Sequence, residues 1–178
     1  FNNFVFISSP SIFLHINQTG NHRIFYNGDI DAVHHIKEKP DYIYINGDSV
    51  KVSQYYSFNN TDNIIELKWN TTIDNIGGLF YRCRNITKID FTHFDTSMVI
   101  VMHHLFNGCT SLTSIDLTNF KTDSCKTLDN MFRDCSSLKS LDLSSFITSN
   151  VEYMSNMFDG CSSLTTLDLS NFNTSLVN

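Results

Sequence analysis

Apolar residues recur with a fixed period along the C-terminal half of the chain. Two phenylalanines and a cysteine return every 26 residues, and an aspartate and a threonine keep the same period. The five columns are Phe80, Phe106, Phe132 and Phe158; Cys83, Cys109, Cys135 and Cys161; Asp90, Asp116, Asp142 and Asp168; Phe94, Phe120, Phe146 and Phe172; and Thr96, Thr122, Thr148 and Thr174. Five columns with one period identify an internal repeat of leucine-rich-repeat length.

Each repeat contains two apolar spacings. Leu141 and Leu143 flank Asp142, which predicts a short strand with both leucines pointing inward. After Thr148, the apolar spacing changes to three and four, which predicts a short helix capped by a hydroxyl. The residues that carry this second spacing are Val151, Met154, Met157 and Phe158. We therefore expect an α/β solenoid, a leucine-rich-repeat horseshoe with a parallel β ladder and short helices.

Residues 131–149 read Met-Phe-x-x-Cys-Ser-Ser-Leu-x-x-Leu-Asp-Leu-Ser-x-Phe-x-Thr-Ser. This phrase resembles the BspA-like leucine-rich repeats, which occur on surface and secreted proteins of bacteria and of unicellular eukaryotes. The resemblance is strongest over residues 79–178 and continues upstream in weaker form, with Trp69 in the phenylalanine column. It implies an extracellular, adhesive or structural role, and it supplies no catalytic residues.

The N-terminal third has a different pattern, with short β-type segments and a hairpin signal at Asn46-Gly47. We expect residues 1–72 to form a β-rich N-terminal capping domain and residues 73–178 to form the repeats, of which the last is incomplete. The segment 64–69 is expected to pair with the first repeat. The other predicted strands are 4–8, 12–16, 23–26, 41–45 and 49–52. At the other end, we expect further repeats or another molecule to cover the last apolar repeat.

Charge and composition exclude several classes of function. Twelve Lys and Arg against eighteen Asp and Glu give a net charge of −6, which argues against nucleic acid and anionic membranes as partners. The apolar runs are too short for a transmembrane segment. Five cysteines without a Cys-x-x-Cys motif predict buried, reduced thiols and no metal site.

The aspartate column is the first candidate for binding. Asp90, Asp116, Asp142 and Asp168 are expected to form a ladder on the concave face, flanked by serine and threonine. The ladder is either solvated and hydrogen-bonded by those hydroxyls, or it binds a cationic ligand; calcium is possible but not favoured. Because the carboxylates are equivalent, nothing separates two of them into an acid and a base, so we predict no catalytic residues and no enzyme.

Five Asn-x-Ser/Thr sequons are candidates for N-linked glycans: Asn17, Asn59, Asn70, Asn85 and Asn173. About four are expected by chance in this composition, so their number is uninformative. All five fall at predicted surface positions, which favours glycosylation if the source is a eukaryote. Apart from such glycans, no cofactor is expected.

These observations favour a non-enzymatic extracellular or cell-surface glycoprotein with a structural or adhesive role. Self-association is expected to proceed end to end into a larger array or filament, with the β-rich cap covering the open repeat. The alternative is a recognition module that binds a protein, a glycan or a cation on the concave Asp/Ser/Thr ladder.

Overall fold

A computed structural model describes residues 9–26, 28 and 39–178 of the chain. Within these residues there are seven β-strands and no helix. The strands are β1 (Ser11–Ile16), β2 (Gly20–Arg23), β3 (Tyr42–Ile45), β4 (Asp48–Val50), β5 (Tyr55–Phe58), β6 (Asn63–Lys68) and β7 (Lys88–Asp90).

Five strands form an antiparallel sheet in the order β4-β3-β6-β1-β7. Its centre is β1, where Leu14 pairs with Ile65 of β6 on one side and with Ile89 of β7 on the other. Alternate residues of β1 are fully buried, as expected for a strand with one face on the core. The strands β2 and β5 form a second, two-stranded antiparallel sheet.

The sequence predicted most of these strands. The hairpin of β3 and β4 is confirmed, with Asn46 and Gly47 at φ of 52° and 91° in its two-residue turn. The predicted strands at 12–16 and 64–69 match β1 and β6 to within a residue at each end. The prediction for 23–26 is displaced, because β2 is Gly20–Arg23, and β5 was not predicted. The prediction for 4–8 lies outside the described residues.

One predicted pairing is wrong. The strand expected to meet the first repeat, β6, lies between β1 and β3 instead. It is β1 that contacts the first repeat, by pairing antiparallel with β7. Further bonds run from Ser11 N–H to the His93 carbonyl at 3.0 Å and from Thr87 N–H to the His15 carbonyl at 3.0 Å. The described N-terminal region is therefore β-rich, while a domain boundary at residue 72 stays a prediction.

Successive repeats are joined by backbone hydrogen bonds in a constant register. Phe80 N–H donates to the Leu105 carbonyl at 3.0 Å, and Phe106 N–H donates to Met131 at 2.9 Å. The same step recurs from Phe132 to Met157 at 3.0 Å. Four residues spaced 26 apart also form parallel bridges: Asn75, Val101, Thr127 and Tyr153. The repeats therefore stack in parallel through the half of the repeat that was predicted to be helical.

The predicted short helices are wrong. Each repeat carries two residues with positive φ, four positions apart, which turn the chain before a helix can extend. These residues are Gly78, His104, Asn130 and Asn156 in one column and Arg82, Gly108, Asp134 and Gly160 in the other. Alternate N–H groups of this segment, such as those of Gly78, Phe80 and Arg82, bond to carbonyls of the next repeat, and the N–H groups between them close turns to carbonyls three residues back.

The predicted parallel β ladder through the aspartate column is also wrong. Among the described residues, the only strand in that column is β7, which pairs antiparallel with β1. The described part of the chain is thus all-β with turn-rich repeats, and it is not a leucine-rich-repeat horseshoe of strands and helices.

Aromatic rings and hydroxyls fill the space between repeats. The Phe106 ring stacks on Phe132 with centroids 5.2 Å apart, and Phe120 stacks on Phe146 at 5.9 Å. Thr122, which is fully buried, donates its hydroxyl to the Ile147 carbonyl at 2.9 Å and accepts the Ile147 N–H at 2.8 Å. Thr148 bonds to both backbone groups of Asn173 in the same way, while Thr96 accepts the Lys121 N–H at 2.7 Å.

Replacing Thr122 by valine should lower the free energy of unfolding by about 1–3 kcal/mol, because the Ile147 N–H and carbonyl lose their partner at nearly constant side-chain volume. Thr122→Ser keeps the hydroxyl and should cost less than about 1 kcal/mol. Urea denaturation of the two variants makes the comparison. Equal stability of the two variants would show that the hydroxyl does not join the repeats.

Glycine alternates with larger residues in the second positive-φ column. A Cβ on Gly160 would lie 2.4 Å from Asp134 Oδ1 and 3.2 Å from its Cα. A Cβ on Gly108 would meet Arg82 Cγ at 3.1 Å in the same way. The side chain of one repeat therefore covers the glycine of the next, so two large neighbours in this column would collide.

Gly160→Ala should lower the free energy of unfolding by about 1–2 kcal/mol because alanine is strained at a positive φ. The close contact of the new Cβ with Asp134 should lower it further. In an Asp134→Gly background this second cost should disappear, so a double-mutant cycle should show a coupling of at least about 0.5 kcal/mol. Gly47→Ala is the matched control, since Gly47 has a φ of 91° and open space at its Cβ. If Asp134→Gly changes the destabilisation caused by Gly160→Ala and by Gly47→Ala equally, the proposed contact between Asp134 and Gly160 is wrong.

Candidate functional site

The four aspartates of the ladder share one local structure. The Oδ1 of each accepts the N–H of the residue two positions later: Thr92 at 2.8 Å, Thr118 at 3.0 Å, Ser144 at 2.9 Å and Ser170 at 2.9 Å. Short polar side chains commonly close a turn in this way. The ladder aspartates therefore shape the turn that follows them.

The same hydrogen bonds set the charge of the ladder. The pKa of each carboxyl lies below its usual value, because the Thr92 hydroxyl and N–H favour the ionised form of Asp90, and the N–H and hydroxyl two residues on do so at Asp116, Asp142 and Asp168. The last three carboxylates are exposed. A general acid needs a raised pKa, so these groups are suited to display negative charge rather than to transfer protons.

The sequence left calcium on the ladder possible but did not favour it. In the described part of the chain, no three His, Cys, Asp or Glu side chains come together as metal ligands. Each ladder aspartate already directs one oxygen to its own turn.

The cysteines have a structural role between repeats. All five are free thiols, and four are buried. Cys109 Sγ donates to the Phe80 carbonyl at 3.2 Å, Cys135 to Phe106 at 3.2 Å and Cys161 to Phe132 at 3.0 Å.

Burial raises the pKa of every thiol, that of Cys125 to about 12. A thiol that stays protonated is a poor nucleophile and a poor metal ligand. The cysteine column therefore holds the repeats together and offers no reactive group.

The sequons differ in how their amides are used. Asn17, Asn59, Asn70 and Asn173 are exposed, and the Asn173 Oδ1 accepts the Ser175 N–H at 2.9 Å. Asn85 is half-buried, and its Nδ2 donates to Gln18 Oε1 at 2.6 Å. Four sequon asparagines are thus exposed, while the amide of Asn85 is hydrogen-bonded within the fold.

The structure contains a cleft that the sequence did not reveal. It has a volume of about 560 Å³ and lies where the N-terminal sheet meets the first two repeats. A smaller cavity of about 70 Å³ adjoins it and shares Phe91, Thr92 and Asn119. We call the larger one the junction cleft; it is lined by Pro10, Thr72, Ile73, Phe91, Thr92, His93, Phe94, Asp95, Met98, Asn119 and Lys121.

The location of the junction cleft explains why the sequence period did not predict it. The cleft borders the first repeat, where Phe91 replaces the leucine found at Leu117, Leu143 and Leu169. A departure from the repeat was visible in the sequence at Phe91, but its partners from the N-terminal region were not.

The described residues contain no helix long and apolar enough to cross a membrane. Two family models match the chain. Residues 74–178 match a family described as "Mycoplasma protein of unknown function, DUF285", and residues 41–98 match the "BspA type Leucine rich repeat region". No curated protein and no solved structure matches the chain significantly.

The resemblance to BspA-like repeats is confirmed, although the BspA-type match lies at 41–98 and the four strongest copies fall within the DUF285 match. Neither description names a catalytic domain. Because the DUF285 match covers more than half of the chain, the protein belongs to the DUF285 family and also carries a BspA-type leucine-rich repeat region.

Proposed function

We propose that this chain is a non-enzymatic extracellular or cell-surface protein with a structural or adhesive role, which acts through contacts between repeat faces. The observation that carries the proposal is the constant register of the backbone bonds between repeats. Each repeat presents to the next the same donors, the same phenylalanine rings and the same threonine hydroxyl. A surface reproduced in this way is suited to extended association rather than to catalysis at one point.

The last described repeat supports association through its outer face. Phe158 and Phe172 are only partly buried, whereas the equivalent Phe132 and Phe146 are buried. A cavity of about 300 Å³ opens there beside Leu169, whose side chain is 41% exposed. Such a face is matched by another repeat of the same kind, whether a following one in the same chain or one of a second copy, because each earlier repeat buries the same positions against its neighbour.

The N-terminal cap has fewer free strand edges for covering an open repeat than the sequence predicted. Its central strand β1 is paired on both edges within its own chain, by β6 and by β7. In the described five-stranded sheet, the cap strand with an unpaired edge is β4 (Asp48–Val50), so a second copy that pairs with the cap through this sheet would do so there. We therefore propose that two repeat faces meet, and that the cap does not cover the open repeat through β1.

Sedimentation velocity over a range of protein concentrations tests this proposal. The full chain should show species larger than the monomer at high concentration, and Leu169→Glu should shift it to monomer, because a carboxylate in an apolar contact is costly. Ile147→Glu is the matched control, since Ile147 is 48% exposed but does not line the cavity. On intact source cells, a membrane-impermeant biotin reagent should label the protein.

A monomer at every concentration, with no surface labelling, would contradict the proposal. A different result would support the recognition module. The protein would be a monomer that binds polylysine, and the Asp116→Asn, Asp142→Asn double variant would not bind it. Asparagine keeps the turn-closing oxygen and removes only the charge. The exposed, ionised carboxylates of the ladder are what favour this second candidate.

We also propose N-glycosylation if the source is a eukaryote. In a eukaryotic secretory host, Asn17, Asn59, Asn70 and Asn173 should carry glycans, and Asn85 should not, because its amide is bonded to Gln18. Site-by-site mass spectrometry after enzymatic deglycosylation in heavy-oxygen water reads the occupancy. Unmodified asparagine at all five sites would remove the glycan from the proposal.

A further inference from the structure

The junction cleft has a physical cause in the sequence of the first repeat. Phe91 lies edge-on against Phe94, with centroids 6.1 Å apart, and against Phe120 at 5.1 Å. In the following repeats, Phe120 and Phe146 stack face to face at 5.9 Å. A ring inserted edge-on takes more room between repeats than a leucine would, so the first two repeats leave a gap on that side.

Asn119 lies at this gap between the first two repeats. Two repeats later the equivalent Asn171 donates its amide to the carbonyls of Leu143 and Phe146, both at 3.0 Å. Between them, Ser145 bonds to Leu117 at 2.8 Å. Within the part of the chain that the structure describes, the Asn119 side chain makes no such bond and lines both cavities instead. Its donors and acceptor are therefore available to a ligand.

The cleft combines an apolar floor with a polar rim. Ile73, Phe91 and Phe94 lie almost fully buried beneath the floor, and Met98, which is 65% exposed, contributes apolar surface to the lining. The rim includes the Asn119 amide and the ion pair of Lys121 with Asp95, whose Nζ and Oδ1 are 3.7 Å apart. Apolar walls with a few convergent polar groups, in a volume of several hundred Å³, are typical of small-molecule sites.

The charges of the rim favour a neutral ligand. Lys121 and Asp95 are close enough to balance each other, so an ion entering the cleft would meet both signs at similar distance. The threonine hydroxyls at Thr72 and Thr92 and the Asn119 amide each offer both a donor and an acceptor. The matching ligand carries paired hydroxyls around its edge and C–H groups on one face.

We propose that the junction cleft binds one neutral saccharide ring, with its C–H face against the exposed Met98 side chain and its hydroxyls on Asn119 and the rim. This site goes beyond the proposed function, because it lies at the junction of the N-terminal sheet with the repeats and not on the outer repeat face. Its failure would leave the association of repeat faces untouched, and the reverse also holds.

An NMR titration of the uniformly ¹⁵N-labelled full chain with methyl glycosides of glucose, galactose, mannose and N-acetylglucosamine tests the inference. At least one should give saturable shifts of the Asn119 side-chain amide and of the Thr92 N–H, with a dissociation constant of roughly millimolar size for one ring in an open cleft. Absence of saturation with all four sugars would overturn the proposal.

Asn119→Ala should weaken this binding about tenfold, as expected for lost ligand hydrogen bonds, and should leave the spectrum folded because the amide makes none within the described fold. Asn171→Ala is the matched control, because Asn171 is the same residue type in the same column of the repeat. This variant loses two hydrogen bonds between repeats and should bind the sugar as the unmodified chain does. Undiminished binding in Asn119→Ala would place the sugar elsewhere. Shifts with a blocked dipeptide but with no sugar would identify a peptide site and would also overturn the proposal.

Discussion

The structure depends on one constraint, which is that the buried backbone of each repeat must find its hydrogen-bond partners in the next repeat. The register set by Phe80, Phe106 and Phe132 meets this demand at every step. The other columns follow from it. Positive-φ residues turn the chain so that its N–H groups face the neighbour, and cysteine thiols and threonine hydroxyls bond to the backbone of an adjacent repeat. The contact geometry that recurs from repeat to repeat thus accounts for the cysteine and threonine columns, which would otherwise look like candidate catalytic or metal-binding residues.

The same constraint makes the first repeat exceptional. Its strand β7 meets an antiparallel neighbour, β1, whereas later repeats meet parallel neighbours. Phe91 replaces leucine at this junction, and Asn119 loses the backbone contacts that its equivalent Asn171 makes. Specific binding is expected where a periodic structure is interrupted, because only there does a combination of side chains occur once. The repeated aspartates, by contrast, are equivalent to one another and closed into their own turns.

These two regions suit different kinds of function. The repeat faces present the same apolar groups and donors many times, which favours association over an extended surface. The junction cleft presents a single set of polar groups above an apolar floor, which favours one small ligand. The thiols, whose pKa is raised by burial, and the ladder carboxyls, whose pKa is lowered by turn hydrogen bonds, take part in the contacts that build the repeats.

The sequence by itself determined the period, the buried columns and the Asn46-Gly47 hairpin, because each depends on residue types at fixed spacing. It did not decide between a helix and two consecutive turns, since apolar spacings of three and four around Met154 and Phe158 satisfy both. Tertiary structure made that choice by directing alternate N–H groups to the next repeat. It also decided that β1, rather than β6, meets the first repeat, and that Asn119 faces a cleft while Asn171 bonds to the backbone. Both depend on contacts between residues far apart in the chain, which a local pattern does not encode.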